Sequence, residues 1–390
     1  MKEIYRGRVE SIDVLRGLVM ILMALDHTRD YFGTTGANPT DMASTTVPLF
    51  LTRWITHLCA PTFFLLTGTG ACLARGRRTT AQLSWLLLTR GLWLIVLELT
   101  VMRFALQFNI DYRVTMLLVI WALGWSMITL SGLVFLPTWA VFAFGVLMIC
   151  GHDLLYPIRA VSLGSLAPIW AILHAPGIVL ATPAHVIVAG YPLIPWVGVA
   201  AAGYGLGALY RTDSNRRRIL LSAGVALTLA FIVFRLLNIY GDPAPWGLQR
   251  SWRLTAVSFL NVTKYPPSLL FLLMTLGPAA LLLWLLDTGT PRLLRPALTY
   301  GRVPLFYFLF HFMLIHLLAV VACYLRYGEA HWMFQSPNLA AYPFTPPPGW
   351  GFSLSVVYAI WISVVALMYP LCRWYASLKA RRTDWWLSYL

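Results

Sequence analysis

The run from Ser11 to Asp30, SIDVLRGLVMILMALDHTRD, sets Asp13, Arg16, Asp26, His27, Arg29 and Asp30 into an otherwise apolar stretch. His27 is the member suited to proton transfer, because histidine ordinarily titrates near neutral pH. A carboxylate beside it, Asp26 or Asp30, would orient the ring. Arg16 and His27 are eleven residues apart. In a helix at about 100° per residue this brings them to within roughly 20° of one another, about 16 Å apart along the axis. Asp13 lies three residues before Arg16 and Asp30 three after His27, both within helical reach. Ionisable groups inside a membrane helix cost a few kcal/mol each and as a rule face a cavity or a partner. One reading is therefore a polar track with a base at its outer end. In the other, Asp13 and Arg16 anchor one membrane interface and Asp26 to Asp30 the other, which gives His27 no task.

The elements that would carry these residues are transmembrane helices. Of the 390 residues, 59% are hydrophobic and only 11% charged, against about a quarter charged in soluble domains. The apolar residues come in blocks near the roughly 20 residues that span a bilayer. Spans are predicted at 11–29, 55–74, 84–102, 114–131, 133–150, 191–210, 219–238, 266–287, 301–323 and 352–373. The expected fold is all-α, polytopic, with about ten transmembrane helices and a single domain over residues 1–390. The basic, then apolar N-terminus resembles a signal peptide, but Asp13, Arg16 and Asp26 interrupt it and no A-x-A-like site follows, so it reads as a retained first helix.

The net charge of +15 does not point to nucleic acid, because the basic residues sit in short clusters between apolar blocks. With the N-terminus inside, the inner segments hold Lys2, Arg6 and Arg8; Arg75, Arg77 and Arg78; Arg211 and Arg216 to Arg218; Arg292, Arg295 and Arg302; and Arg373, Lys379, Arg381 and Arg382. Fewer fall outside, so both termini are expected in the cytoplasm. The outer loops Tyr31–Arg53, Gly151–Gly190, Ile239–Tyr265 and Tyr324–Gly351 are long and mostly aromatic- and proline-rich, a usual place for recognition. Leu166–Val188 reads as an interfacial or re-entrant piece, and AYPFTPPPGWG (Ala341–Gly351) as irregular or polyproline-like. The five cysteines are scattered without a CxxC pair, which argues against a disulfide framework or a zinc site.

Other polar residues fall at matching depths. Arg90 lies as far into the third span as Arg16 into the first, and Glu98 near the depth of His27. Arg53 and His57 open the second span from outside, and Lys264 precedes the eighth. Arg53 and Lys264 either join an outer cluster with Asp26, His27, Arg29, Asp30, His57 and Glu98, or snorkel at the interface. His311 and His316, in FHFMLIH, point about 140° apart on a helix, so only one faces any given site.

Five segments carry a resemblance: SIDVLRG (Ser11–Gly17) followed by Asp26 and His27; RWITHLCAPTFFLLTG (Arg53–Gly68); YPLIPW (Tyr191–Trp196); NVTKYPPS (Asn261–Ser268); and GRVPLFY (Gly301–Tyr307) followed by His311. Together they resemble bacterial members of the heparan-α-glucosaminide N-acetyltransferase family, over roughly residues 8–320. The Arg16-to-His27 spacing is also similar to that of the acyltransferase-3 family, whose Arg–His pair is implicated in moving acyl groups from cytoplasmic acyl-CoA to outside acceptors. The resemblance implies an acyltransferase using acetyl-CoA or another acyl-CoA, with Arg16 and Arg90 on the CoA side. It implies His27 as the base; by their depth, Asp26, Asp30 or Glu98 would orient it, and Arg53, Lys264 and His311 are expected near the acceptor. The lysosomal enzyme has Asn where this chain has His27, and its catalytic His lies in the first outer loop. That loop here, Tyr31–Arg53, has no His, so the role falls to His27 or His57.

These readings combine into a transmembrane acyltransferase of the cell (inner) membrane. It would pass an acyl group, expected to be acetyl, from cytoplasmic acyl-CoA to a glycan or other small hydroxyl or amine acceptor at the outer face. His27 would act as general base or through an acyl-histidine. A transporter or channel using the same Arg16–His27 track is the alternative. No metal and no nucleic acid is expected; the bilayer is a partner, and association into a homo-oligomer is left open.

Overall fold

The computed structural model describes residues 9–212, 215–337, 343–382 and, singly, 384, 387 and 389. The predicted inner-face residues Lys2, Arg6 and Arg8, and the first two residues of the AYPFTPPPGWG run, lie outside the described residues.

Along the chain the helices are α1 (Glu10–Phe32), α2 (Val47–Thr56), α3 (Cys59–Ala74), α4 (Thr80–Leu97), α5 (Arg103–Gln107), α6 (Val119–Leu133), α7 (Thr138–Gly151), α8 (Ala167–Leu173), α9 (Leu193–Thr212), α10 (Arg216–Leu237), α11 (Trp252–Leu260), α12 (Leu269–Leu286), α13 (Arg295–Arg302), α14 (Pro304–Tyr327) and α15 (Leu354–Arg381). Strands β1 (Val114–Leu117), β2 (Gly177–Ala181) and β3 (Val186–Ala189) are the minor component. Among the described residues, eight helical stretches are long and apolar enough to cross a membrane. Two further predicted spans also find helices: α1, with 23 residues, is long enough but carries the charges described above, and α6 has 15 residues. The chain is an all-α polytopic membrane protein, and large apolar side chains such as Trp139, Leu147, Leu229 and Leu325 stand exposed on its helices, as a hydrocarbon solvent permits.

One expectation needs correcting. The span predicted over 114–131 opens as strand β1, and its helix starts only at Val119. The start is fixed by Glu98, whose carboxylate accepts from the Ile120 and Trp121 backbone N–H groups at 3.1 and 3.0 Å, so it caps α6 in place of a local N-cap side chain. Leu166–Val188 is a seven-residue helix, α8, followed by the antiparallel β2–β3 hairpin.

The chain forms two compact units. One comprises Met1–Ile12, Ala60–Glu98 and Met116–Gly289, and the other Asp13–Cys59, Leu99–Thr115 and Thr290–Leu390. In the first, helices pack through small residues, as membrane helices do when their backbones must come close. A Cβ on Gly68 of α3 would sit 1.8 Å from the Ala200 carbonyl oxygen of α9, and one on Gly203 2.0 Å from Leu65 O. Thr69 adds a hydroxyl bond to Gly203 O at 3.0 Å.

The second unit holds α1, α2, α5, α13, α14 and α15. The close contact of α1 with α13 has the same origin. A Cβ on Gly17 would meet Ala297 O at 1.8 Å, and one on Gly301 would meet Asp13 O at 1.8 Å. These glycines close SIDVLRG and open GRVPLFY, so the two motifs are one structural joint. Trp361 of α15 donates to Ile21 O at 2.8 Å, and Tyr358 bonds Thr52 of α2 at 2.9 Å, fixing both helices to the rest of the unit.

Candidate active site

The joint sets the N-terminal end of α1. Arg16 is ion-paired with Asp13 at 2.8 Å and donates to Gly301 O at 3.2 Å, so its guanidinium is held against α13. The i,i+3 relation expected from the sequence is therefore made.

At the other end of α1 the charges form a chain. Arg53, from α2, donates to one oxygen of Asp26. Arg29 reaches the other at 2.8 Å, and its second nitrogen bonds Asp30 at 2.7 Å. Asp26 is buried, and the paired side chains keep it compensated. Arg53 thus joins the outer cluster rather than snorkelling. The second oxygen of Asp30 lies 3.7 Å from Nδ1 of His27. The order Arg53–Asp26–Arg29–Asp30–His27 leads from a cation on a neighbouring helix to an imidazole.

His27 has unused capacity. Neither ring nitrogen has a hydrogen-bond partner among the described residues. Its ring packs on Phe312, with centroids 3.9 Å apart, and lies 5.4 Å from the ring of His311 on α14. His311 is fully buried and its Nδ1 is 2.8 Å from Tyr307 O. A carbonyl oxygen only accepts, so Nδ1 carries the proton of the neutral ring and Nε2 the lone pair. That Nε2 also lacks a partner among the described residues. His316 points elsewhere, to Ala105 O and Met333 O at 2.9 and 2.8 Å, as the 140° separation requires.

Beyond the C-terminal turn of α1 opens a cleft of about 240 Å³, lined by Arg29, Asp30, Thr34, Thr35, Phe344 and Trp350 among others. Its wall is built by hydrogen bonds between the end of α1 with the loop after it and the segment before α15. Phe352 N–H donates to Phe32 O at 2.8 Å, the Thr35 hydroxyl to Trp350 O at 2.8 Å, and the Trp350 indole to Tyr31 O at 2.8 Å. The aromatic loop Tyr324–Gly351 was flagged in the sequence, but not its pairing with residues 33–35. Gly351, at φ 125°, supplies the backbone turn that pairing needs.

The remaining sequence candidates are placed as follows. His57 is 1% exposed at the C-terminal end of α2. Glu98 belongs to the first unit and caps α6. Arg90 lies in α4 of the first unit. Lys264 sits over the Tyr265 ring at 5.2 Å, also in the first unit.

Sequence reasoning passed over a second polar network in the first unit. Arg235, 1% exposed on α10, donates to the carbonyls of Phe259, Ala244, Ser258 and Asn261 at 2.8–2.9 Å. Asp242 accepts from Thr263 N–H and from the Ser268 hydroxyl, both at 2.7 Å. The hydroxyls of NVTKYPPS were the available signal: they fold that motif around Asp242, giving it a structural task.

A further cluster in the second unit joins Asp111 to Arg103 at 2.9 Å and to Ser336 at 2.8 Å. Burial pushes the Asp111 carboxyl up, but hydrogen bonds from Arg113 N–H and Ser336, with the Arg103 charge, outweigh it and hold the group below its ordinary value.

No curated protein matches the chain. The family model for heparan-alpha-glucosaminide N-acetyltransferase, catalytic, matches residues 8–241, which is more than half of the sequence and takes in α1 with its charge chain, α2 and α3, and the YPLIPW segment. With that match on top of the membrane-spanning fold, the chain belongs to the heparan-alpha-glucosaminide N-acetyltransferase family and is a transmembrane acetyltransferase.

Proposed function

We propose that the protein transfers an acetyl group from cytoplasmic acetyl-CoA to a small hydroxyl- or amine-bearing acceptor, such as a sugar, at the outer face of the cell membrane, with His27 as general base. The single observation that carries this reading is the state of His27: an imidazole with no hydrogen-bonded nitrogen, 3.7 Å from Asp30, which itself lines the open cleft.

The acceptor occupies the cleft. At about 240 Å³ this is smaller than the roughly 300–1,000 Å³ of pockets for drug-sized ligands, a size suited to one ring. Trp350 and Phe344 offer apolar faces, and Asp30, Thr34 and Thr35 offer polar partners. The acceptor's oxygen or nitrogen attacks the acetyl carbonyl while His27 takes its proton, and the CoA thiolate leaves. Asp30 stabilises the imidazolium so formed, and the ion pairs through Arg29 and Asp26 to Arg53 keep Asp30 in place. His57, buried at the end of α2, is the weaker candidate, because His27 has the cleft-lining Asp30 within 3.7 Å of its Nδ1. Arg16, fixed at the opposite end of α1, is assigned to the acetyl-CoA side, where Arg292 and Arg295 of the same unit would draw the CoA phosphates to the cytoplasmic surface. Both termini are then cytoplasmic, and the whole chain acts as one acyltransferase domain.

The test is transfer of labelled acetyl from acetyl-CoA to a panel of sugars, polyols and amines by proteoliposomes carrying the purified protein. Label appearing on an acceptor supports the reading. Flux of solute through the same vesicles, with no acetyl transfer to any acceptor, would replace it with the transporter reading.

A further inference from the structure

The mechanism above gives His311 no task, yet its geometry is constrained. It is fully buried, its Nδ1–H is committed to Tyr307 O at 2.8 Å, and Phe312 beside it packs on the His27 ring. Tyr307 also stacks on the His311 ring at 5.0 Å, so the imidazole is clamped from its own helix. The one free capacity of this clamped ring is a lone pair on Nε2, without a partner among the described residues, in a ring 5.4 Å from His27. A buried acceptor left unsatisfied destabilises the fold. Such a cost is commonly found where an unpaired group serves the reaction.

We propose that His311 is a positioning residue for His27, an acceptor for the His27 N–H that does not face Asp30, so that the nitrogen on the Asp30 side is the one that takes the proton. The inference rests on the proposed role of His27. Neutral His27 has one N–H and one lone pair. When the acceptor's oxygen or nitrogen forms its bond to the acetyl carbon, the C–S bond breaks and its electron pair leaves on the thiolate. The acceptor's proton moves to His27, making an imidazolium with two N–H groups. The new N–H, on the side of Asp30 and the cleft, is held by the carboxylate, and His311 Nε2 accepts from the other, so the cation is bracketed by two acceptors on two helices. The proton then passes to the thiolate, giving free CoA thiol and neutral His27. His311 touches neither substrate and acts through His27 alone, with Arg29, Asp26 and Arg53 completing the charged surroundings on the carboxylate side.

The experiment measures kcat and KM for acetyl-CoA and for the best acceptor in His311→Phe, His311→Gln and His311→Asn, with His27→Ala as reference and thermal unfolding in detergent as a folding check. Phe keeps an aromatic ring but has no acceptor. Gln can place an oxygen near the Nε2 position. Asn can keep the bond to Tyr307 O but does not reach towards His27. The expectation is a kcat 10- to 100-fold below wild type in His311→Phe and His311→Asn, both KM values within about threefold of wild type, and recovery of most of the lost kcat in His311→Gln. If His311→Phe does not fold, the Asn and Gln variants decide between them. Wild-type kcat in the Phe or Asn variant, with His27→Ala inactive, would overturn the role of His311 and leave His27 as base. Equal loss in folded Gln and Asn variants would also overturn it. An active His27→Ala would overturn the proposed base, and this inference with it.

Discussion

The rings of His27 and His311 stand 5.4 Å apart, one on α1 and the other on α14, and between them they hold three ring nitrogens without a hydrogen-bond partner among the described residues. Around this pair the polar groups are paired in sequence: Arg53 with Asp26, Asp26 with Arg29, Arg29 with Asp30. Unsatisfied capacity beside a paired network is what a proton-transfer site requires, because a ring already bonded on both sides has no lone pair to offer.

The Arg53–Asp26 pair gives the first prediction. Removing one partner leaves a charge in a largely buried place, at a cost of about 3 kcal/mol. Arg53→Ala and Asp26→Ala should each lower the unfolding temperature markedly in detergent. The double variant should lose less than the sum of the two, because the uncompensated charge is then gone from both sides. A strictly additive result would mean that the two side chains are independent.

Glu98 separates a structural task from a chemical one. Its carboxylate caps α6, and loss of a cap costs about 1–2 kcal/mol. Glu98→Ala should be destabilised by about that amount, while Glu98→Gln, which keeps an acceptor oxygen, should retain both stability and acetyl transfer. A folded Glu98→Gln with transfer reduced a hundredfold would show that the ionised carboxylate takes part in the reaction.

The glycine joint of α1 with α13 predicts a sharp contrast. Gly301→Ala would put a methyl group 1.8 Å from the Asp13 carbonyl, an overpacking that costs about 1–3 kcal/mol and would also disturb the Arg16 bond to Gly301 O. Gly70→Ala, where nothing lies within 4 Å of the added carbon, should be neutral or slightly stabilising. Comparing the unfolding temperatures of the two variants checks this directly.

Asp111 supplies a pH dependence. Its carboxyl is held below its ordinary value in the folded protein, so it contributes stability at pH values above the unfolded-state value. That contribution fades as pH falls through the lower folded-state value. Asp111→Asn should therefore be less stable than wild type at neutral pH, and the difference should close on acidification. Thermal unfolding followed from pH 7 down into the carboxylate range measures the gap; a gap constant with pH would contradict the assignment.

The long apolar blocks made the spanning helices legible, and helical arithmetic correctly joined Asp13 to Arg16 and set His311 apart from His316. The sequence also carried the outer charge cluster, since Asp26, Arg29, Asp30 and Arg53 are all near span ends. What it hid were contacts between distant segments. Nothing local in residues 114–118 announces that Glu98 will cap the next helix. The cleft wall depends on residues 31–35 meeting residues 350–352, more than 300 positions away, through bonds accepted by backbone carbonyls, which every residue offers. The carbonyl partners of Arg235 are unreadable in the sequence because carbonyls have no side-chain identity.

The cleft offers a test apart from the base. Ala37 lines it and is exposed. Ala37→Trp should raise the KM for the acceptor about tenfold or more while leaving the KM for acetyl-CoA unchanged. Equal changes in both would place the acceptor elsewhere.

The central claim is that His27 takes the acceptor's proton, and acetyl transfer by His27→Ala beside His57→Ala tests it most directly. A general base contributes about 10²–10⁴-fold to rate. In folded protein at saturating acetyl-CoA, His27→Ala should fall by at least a hundredfold in kcat, while His57→Ala should stay within about tenfold of wild type. Transfer that survives in His27→Ala and is abolished in folded His57→Ala would contradict the account.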